Sequence, residues 1–564
     1  MKNKWFIIVL IFMLSIIFTS CDTYEDYSDK DAFRLSSIFD VSDENGKREY
    51  FVYAPYTDTF TITSENHNVE SITLYQSGKK IYEEEKKIVC ELTENEIYKL
   101  VIKTYEENKK IELEVKAKAH KIEYPYGVDS GNETSIDVKA NEAAYIEYTK
   151  REGGKYIYSN NPELVPGDSV NTAFIQTKDL DGEVFFTFEH ANYSGTRFYL
   201  GYQLKNEGDS DVYITVTNIG YQVGGTWFGQ NAWYDFYNTS FKLPSDYLTE
   251  TNTINPIYQN YDYAYSQFKP RVFKPTTYRL PAGEYFYVIG GTSDDSYNNI
   301  DVADTADKKV ATNQCTNGNV KFNVTGGKVT ATFYCYTSVK KLDFEAEQVG
   351  YRVGGYSAQY VGIANHSGVI DTNITWKFDD TTKSGNLPVS YKNKYDDNPQ
   401  LTKTPYAEYN NKEHLHENKS SWMTNLNPQN DHNAVGSDIV DFICVDENGN
   451  NVVIDNYHAD GGGNPSNTAN WMIEYQEHYT LINEGSVERT ITLYKKDGGT
   501  LAILLRDSNT GEVIDTYYTI GQAKIGYSFE YPIKVKAGQT VEITLSYVLV
   551  ACSYGNVTHW ATIK

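Results

Sequence analysis

Five of the ten histidines fall between His414 and His478. In Glu413-His414-Leu415-His416-Glu417, alternate spacing puts both imidazoles on one side of an extended chain. His432 and His458 follow, with Asp431 and Asp460 beside them. Imidazole with carboxylate suits Zn²⁺ or another divalent ion, and an open coordination position would serve metal-assisted hydrolysis. His414, His416 and His458 are the candidate ligands. The same region is rich in Asn, Lys and Gly, so solvated loop histidines are the competing use.

A second chemistry is suggested by Trp227-Phe228-Gly229-Gln230-Asn231-Ala232-Trp233-Tyr234-Asp235-Phe236-Tyr237-Asn238. Carbohydrate sites need aromatic faces for the apolar side of a sugar and Asp, Asn or Gln for its hydroxyls. Trp227, Trp233 and Asp235 are the candidate contacts, with core packing as the alternative. Trp422 and Trp471 offer similar faces further on. His190, next to Glu189, is either a base or ligand, or a structural ring bonded to a backbone carbonyl. Acidic turns between Asp294 and Asp307 lack the spacing of a Ca²⁺ loop. No Gly-x-Ser-x-Gly elbow, HExxH helix, P-loop or dinucleotide fingerprint in context is present. A catalytic role therefore has no signature, and no cofactor is implied beyond a possible divalent metal.

The start of the chain supplies an address. Lys2 and Lys4 precede an apolar run from Trp5 to Phe18, then Thr19-Ser20-Cys21. The run is short for a bilayer span and has the basic flank of a secretory signal. Small residues before Cys21 resemble a bacterial lipobox, in which the thiol takes a diacylglycerol. The alternative is an ordinary cleaved signal. Cleavage before Cys21 leaves 544 of the 564 residues, and losing Lys2 and Lys4 takes the net charge from −25 to −27. Such a chain is repelled by phosphate backbones, which argues against nucleic-acid binding. Its expected location is the extracytoplasmic face of the cell membrane, held by lipid.

Cys21 is one of six cysteines, and the odd remainder argues against a full disulfide framework. Cys315 and Cys335 flank a hairpin-like stretch and form the expected disulfide, with Cys444 and Cys552 as a second pairing. The alternative for each is a buried free thiol. No zinc spacing appears. The 50 tyrosines fit an AT-rich genome, glycan contact or exposed strands equally well.

The elements that must position these groups are strands. Ile111, Leu113, Val115 and Ala117 alternate with Glu112, Glu114, Lys116 and Lys118. Tyr98, Leu100 and Ile102 alternate likewise, and Gln76-Ser77-Gly78-Lys79 and Asp43-Glu44-Asn45-Gly46 are turn signals. After the signal no segment of ten or more residues shows a helical period. The expected class is all-β, with tandem immunoglobulin-like β-sandwich domains. The boundaries are a signal peptide over 1–20, an acidic tether over 21–35, a small immunoglobulin-like domain over 36–120 and a linker over 121–140. Two sandwich repeats over 141–345 and 346–564 complete the chain.

The repeat rests on shared landmarks. Tyr202-x-Leu204-x-Asn206-Glu207-Gly208 recurs as Tyr479-x-Leu481-x-Asn483-Glu484-Gly485. Ile214-Thr215 and Ile491-Thr492 follow at equal distance. His190-Ala191-Asn192-Tyr193-Ser194-Gly195 echoes His458-Ala459-Asp460-Gly461-Gly462-Gly463, and Pro281-Ala282-Gly283 echoes Lys536-Ala537-Gly538. GYQVGG at 220–225 and GYRVGG at 350–355 fall out of phase with these. The string His-Ala-Asn-x-x-Gly followed by Leu-x-Asn-x-Gly resembles repeated β-sandwich modules of exported Gram-positive surface lipoproteins. Some of those accompany copper-amine-oxidase-like stalk domains, which this chain does not show. The resemblance covers about 40 residues per repeat, implies a surface location and transfers no functional residue. The combined expectation is a lipid-anchored binding or adhesion module for wall or extracellular polysaccharide, or for a surface protein. A carbohydrate-active or metal-assisted hydrolase and a structural spacer are the alternatives.

Overall fold

The computed structural model describes 26–120, 133–137, 144–147, 149–151, 153–160, 162–224, 229–239, 249–253, 273–290 and 309–337. It continues with 361–364, 367–386, 389–392, 442–445, 451–454, 472–496, 501–519, 529–550 and 558–564. Among the described residues strand accounts for 64% and helix for 3%, which makes the class all-β, with sheets in sandwich-like arrangements. The chain divides into two compact units. One is Met1–Tyr124 with Asp211–Thr215 and Pro275–Arg279; the other holds the rest.

In the first unit, alternation is realised as burial. Ile111, Leu113 and Val115 of Lys110–Ala117 are buried, and the charged residues between them are not. Lys110–Ala117 pairs with Ser37–Val41 and with Asp58–Ser64, which in turn pairs with Lys87–Leu92. The other sheet runs Phe33–Arg34, Lys47–Tyr53, Ile97–Thr104, Val69–Gln76, Lys79–Glu84. Ser77 and Gly78 both have positive φ, at 49° and 81°, so the last two strands close through a tight two-residue turn. Two of the edge strands, Lys79–Glu84 and Lys87–Leu92, carry charges that discourage further pairing.

Two distant segments complete this core. Tyr213 stacks on Phe33 at 5.1 Å, and Thr277 Oγ1 lies 2.8 Å from both Ser36 Oγ and Thr215 Oγ1. Arg279 pairs with buried Asp40, which also accepts a hydrogen bond from Tyr50 OH at 2.8 Å.

The second unit begins with a folded ribbon. Thr172–Asn192 pairs antiparallel with Cys315–Tyr336, with register shifts around Leu180 and Gly182. The ribbon doubles over there, because Phe174 of one arm meets His190 of the other at 4.7 Å. Phe333 likewise contacts Phe186, Phe188 and His190, so the two arms form facing layers around an aromatic core. Tyr199–Lys205 extends one layer, between Cys315–Tyr336 and Tyr285–Ile289.

A second sandwich follows. Val369–Phe378 runs parallel to Glu474–Asn483, which pairs antiparallel with Thr540–Leu549. Leu501–Asp507 and Val513–Thr519 continue that sheet. The other sheet holds Gly385–Asn386, Thr558–Ile563, Arg489–Lys496 and Phe529–Val535. Trp376, Tyr479, Leu545 and Ile503 pack with Leu493, Phe529 and Ile563 in one core cluster.

The repeated Asn-Glu-Gly turns have one geometry. Asn206 Nδ2 donates to Ser210 O at 2.7 Å and Leu280 O at 3.0 Å, while Oδ1 accepts from Gly208 N at 3.0 Å. Asn483 repeats this with Val487 O at 2.8 Å, Val535 O at 2.9 Å and Gly485 N at 3.0 Å. The paired turn glycines, Gly283 and Gly538, both have positive φ, at 74° and 67°. Asn192 makes a third such clamp, to Thr196 O and Val310 O at 2.7 Å each and from Ser194 N at 2.9 Å.

The expected Cys315–Cys335 disulfide is corrected. Both thiols are free and buried. The stretch between them is no closed hairpin; it pairs along its length with Thr172–Asn192, where Cys315 faces Ala191 and Cys335 faces Thr172. Burial pushes the Cys315 thiol up to about 12 and Cys335 further. Cys444 has only its backbone described, and Cys552 lies outside the described residues.

Candidate functional site

Strand parity sorts Glu474–Asn483 into two faces. Tyr475, Glu477 and Tyr479 turn into the sandwich core, where Tyr475 stacks on Tyr547 at 5.2 Å and Trp376 meets Tyr479 at 5.3 Å. Glu474, Gln476 and His478 therefore share the opposite face. The ladder sets their neighbours: Asp371 is in register with Gln476, and Asn373 with His478. On the other side stand Ser546 and Thr544, then Leu504 and Arg506.

This face is charged and mostly buried. Arg151 grips Asp371 Oδ2 through Nε at 2.8 Å and Nη2 at 2.7 Å, and Nη2 also donates to Gln476 Oε1 at 3.0 Å. Gln476 Nε2 donates to Glu474 Oε1 at 2.8 Å. Arg506 Nη2 donates to Ser546 Oγ at 2.7 Å and lies 3.6 Å from Glu474 Oε1. Tyr237 OH donates to Glu474 Oε2, and the Arg506 guanidinium sits 5.2 Å from the Tyr237 ring centre. Each buried charge thus meets an opposite one, as burial requires.

His478 stands at the edge of this network and is 7% exposed. Its Nδ1 lies 2.9 Å from Thr544 Oγ1, which lies 2.9 Å from Ser508 Oγ. Its Nε2 is buried with no hydrogen-bond partner. Burial, then the Arg151 and Arg506 charges, pull its pKa down to about 3, so the ring is neutral at neutral pH. Burial falls off along the same face: Asn373, Thr375, Thr480 and Glu542 are half-buried, and Lys377 and Thr540 are exposed. The face is a polar surface that runs from solvent down to a matched set of charges.

Sequence candidates are placed differently. Trp233 and Asp235 lie on a helix, Gly229–Phe236, and both are buried. Asp235 Oδ2 accepts from Tyr221 N at 3.1 Å and Gln222 Nε2 at 3.2 Å. The expected surface contact through Trp233 and Asp235 is thus corrected to a packing role: eight residues make two turns of helix that bury their aromatic side chains. Gly220 permits the close approach, since a Cβ there would stand 1.8 Å from Ala232 O. Trp227, His414, His416, His458 and Cys21 lie outside the described residues, as do Trp422 and Trp471. Among the described residues no group of three or more His, Cys, Asp or Glu is arranged to hold a metal ion.

His190 is a core residue. Its Nδ1–H donates to Pro162 O at 2.8 Å, which leaves Nε2 to accept from Ser159 Oγ at 3.2 Å. Burial lowers its pKa to about 4. Arg151, Asp371, Glu474, Gln476, His478 and Arg506 were not singled out as a site from sequence. Their one local signal is the alternation in Glu474-Tyr475-Gln476-Glu477-His478-Tyr479.

No protein-family model matches the chain, and no curated protein matches it. Among solved structures, the CUB1-EGF-CUB2 region of human MASP-1/3 aligns at a TM-score of 0.12 and 7% identity, over 53% of this chain and 100% of that one. Tripeptidyl Peptidase 2 aligns at 0.11 and 9% identity, over 52% of this chain and 22% of that one. At such scores neither likeness bears on fold or function, and the architecture rests on the strands themselves.

Proposed function

We propose that the chain is a lipid-anchored, extracytoplasmic β-sandwich protein that binds a ligand at the cell surface, most simply a wall or extracellular polysaccharide. The address rests on Lys2, Lys4, the Trp5–Phe18 run and Cys21. The binding role rests on one observation: a polar strand face whose charges are matched internally, Arg151 with Asp371 and Arg506 near Glu474. A preorganised, charge-balanced network suits hydrogen-bond recognition, because it needs no rearrangement when a ligand arrives. Trp227, in the aromatic and amide-rich stretch 227–238, is the proposed aromatic contact for the same ligand.

Two measurements test this. Mass spectrometry of the membrane fraction is expected to find a mature N-terminus at Cys21 carrying a diacylglycerol. Intact cells are expected to lose the protein to added protease. An unprocessed chain recovered from the cytosol would end the proposal.

A further inference from the structure

We propose that Tyr27 is a clamp on the membrane leash, and that it turns the Gly78 end of the first unit toward the lipid surface. The inference rests on the anchored reading above and adds to it the face that meets the bilayer.

The chain just after the anchor is held down. Tyr27 is 4% exposed, although Asp26, Ser28, Asp29 and Lys30 around it are exposed. Its ring meets Phe51 edge-on at 5.2 Å, and its hydroxyl accepts from Gly78 N at 2.9 Å. Lys99 Nζ lies 5.9 Å from its ring centre, and Lys30 Nζ lies 5.4 Å from that of Phe51. Phe51, Lys99 and Tyr75 stand in register on the outer face of their sheet, since Tyr50, Leu100 and Leu74 beside them fill the core. A turn closed by Lys30 N on Tyr27 O then leads to the edge strand that starts at Phe33.

Length decides what this does. Cys21 and Tyr27 are six residue steps apart, a reach of about 20 Å at full extension. Without the clamp the first fixed residue would be Phe33, twelve steps from Cys21 and about 40 Å away at full extension. The clamp also sits at one end of the unit. Gly78 follows Val69–Gln76, whereas Gly46 O accepts from Thr104 N at the opposite end of Ile97–Thr104. The eight residues of that strand separate the ends by about 25 Å. A leash shorter than the strands holds the Gly78 end at the bilayer and leaves the Gly46 end the more distant. Charges around the clamp are of both signs, Lys30, Lys79, Lys80 and Lys99 with Asp26, Asp29, Glu83 and Glu96 among them. The leash, and not head-group charge, therefore sets the distance.

The test is energy transfer from a fluorescent amino acid to a rhodamine-labelled lipid, in phosphatidylcholine vesicles carrying the mature full-length protein. The donor replaces Lys79 at the clamped end or Glu107 at the far end, both exposed. Transfer is expected to be at least twofold greater from position 79 than from position 107, and unchanged in high salt. Tyr27→Ala should bring that ratio close to one. A Gly-Ser insert between Thr23 and Tyr24 that adds about 25 Å of chain should do the same with the clamp intact.

Equal transfer from the two positions, in wild-type protein that floats with the vesicles, would overturn the clamp and leave the anchor standing. A twofold ratio that survives the insert would also overturn it, because the orientation would then not depend on leash length. Should Tyr27→Ala not fold, the insert alone decides. Protein that does not float with the vesicles would overturn the anchored reading and this inference together.

Discussion

Arg279 Nε lies 2.9 Å from one oxygen of Asp40 and 3.0 Å from the other, across 239 residues of chain. Its Nη1 also reaches Asp211 Oδ2 at 2.9 Å. Asp40 is buried, and Arg279 is the nearer of its two cationic partners, with Arg48 Nε at 3.5 Å. Arg279→Met removes the nearer cation and leaves the carboxylate only the Tyr50 hydroxyl and the Arg48 guanidinium, 3.5 Å away. Breaking a buried pair from one side costs about 3–5 kcal/mol. The expected outcome is a selective loss of hydrogen-exchange protection in 97–104 and 110–117, with 474–483 unchanged. Adding Asp40→Asn should restore part of the loss. Equal protection in wild type and Arg279→Met would show that the pair does not hold this unit together.

Asn206 and Asn483 should respond alike. Each side chain donates twice to carbonyls and accepts once. Replacement by Ala orphans those carbonyls, for about 1–3 kcal/mol at each site. Asp is worse at neutral pH, because a carboxylate then faces two carbonyl oxygens at Asn483. Chemical denaturation should rank Asn483→Asp below Asn483→Ala at pH 7, with the gap narrowing near pH 4. A neutral Asn483→Asp would deny the clamp its role.

Much of this was legible in the chain and some was not. The period-two run from Ile111 to Ala117 reads directly as a half-buried strand because its signal is local. The paired Asn-Glu-Gly turns are equally local, and their shared geometry follows from residue type. The third clamp at Asn192 is hidden, since Tyr193-Ser194 replaces Glu-Gly and only the hydrogen bonds reveal it. Trp233 and Asp235 have the right composition for a sugar site, but composition does not say which way a side chain faces. Gly229–Phe236 is also too short for a helical period to emerge. The Glu474, Gln476 and His478 face alternates with tyrosine like any exposed strand face. Its burial depends on Arg151, Tyr237 and Arg506, each supplied from another part of the chain. Arg279 carries no local mark of its partner.

Free thiols should be chemically silent in the native state. Cys90 is buried, and burial pushes its pKa, like that of Cys315, up to about 12. The thiolate is the reactive form, so little of it exists at pH 8. Treatment with iodoacetamide at pH 8 should leave Cys90, Cys315 and Cys335 unmodified, and all three should alkylate after denaturation without reductant. A non-reduced peptide linking Cys315 to Cys335 would contradict the free, separately buried thiols.

His190 and His478 should make the second unit acid-sensitive. An unfolded chain protonates both rings near pH 6.5, whereas the folded rings resist until about 4 and about 3. Burial is the main cause in both cases. The unfolded state therefore binds more protons between those limits. Stability is full above pH 6.5 and falls as pH drops through the window, by up to about 1.4 kcal/mol per pH unit for each ring. His190→Gln lowers stability throughout, because it disturbs the Pro162 and Ser159 contacts, but it also removes one proton from the linkage. Denaturation midpoints of the second unit, taken at half-unit steps from pH 7 to pH 4, should show a shallower slope for His190→Gln than for wild type. Parallel slopes would mean that the folded protein already accommodates a charged ring at His190, against the closed aromatic setting formed by Phe174, Phe188 and Phe333.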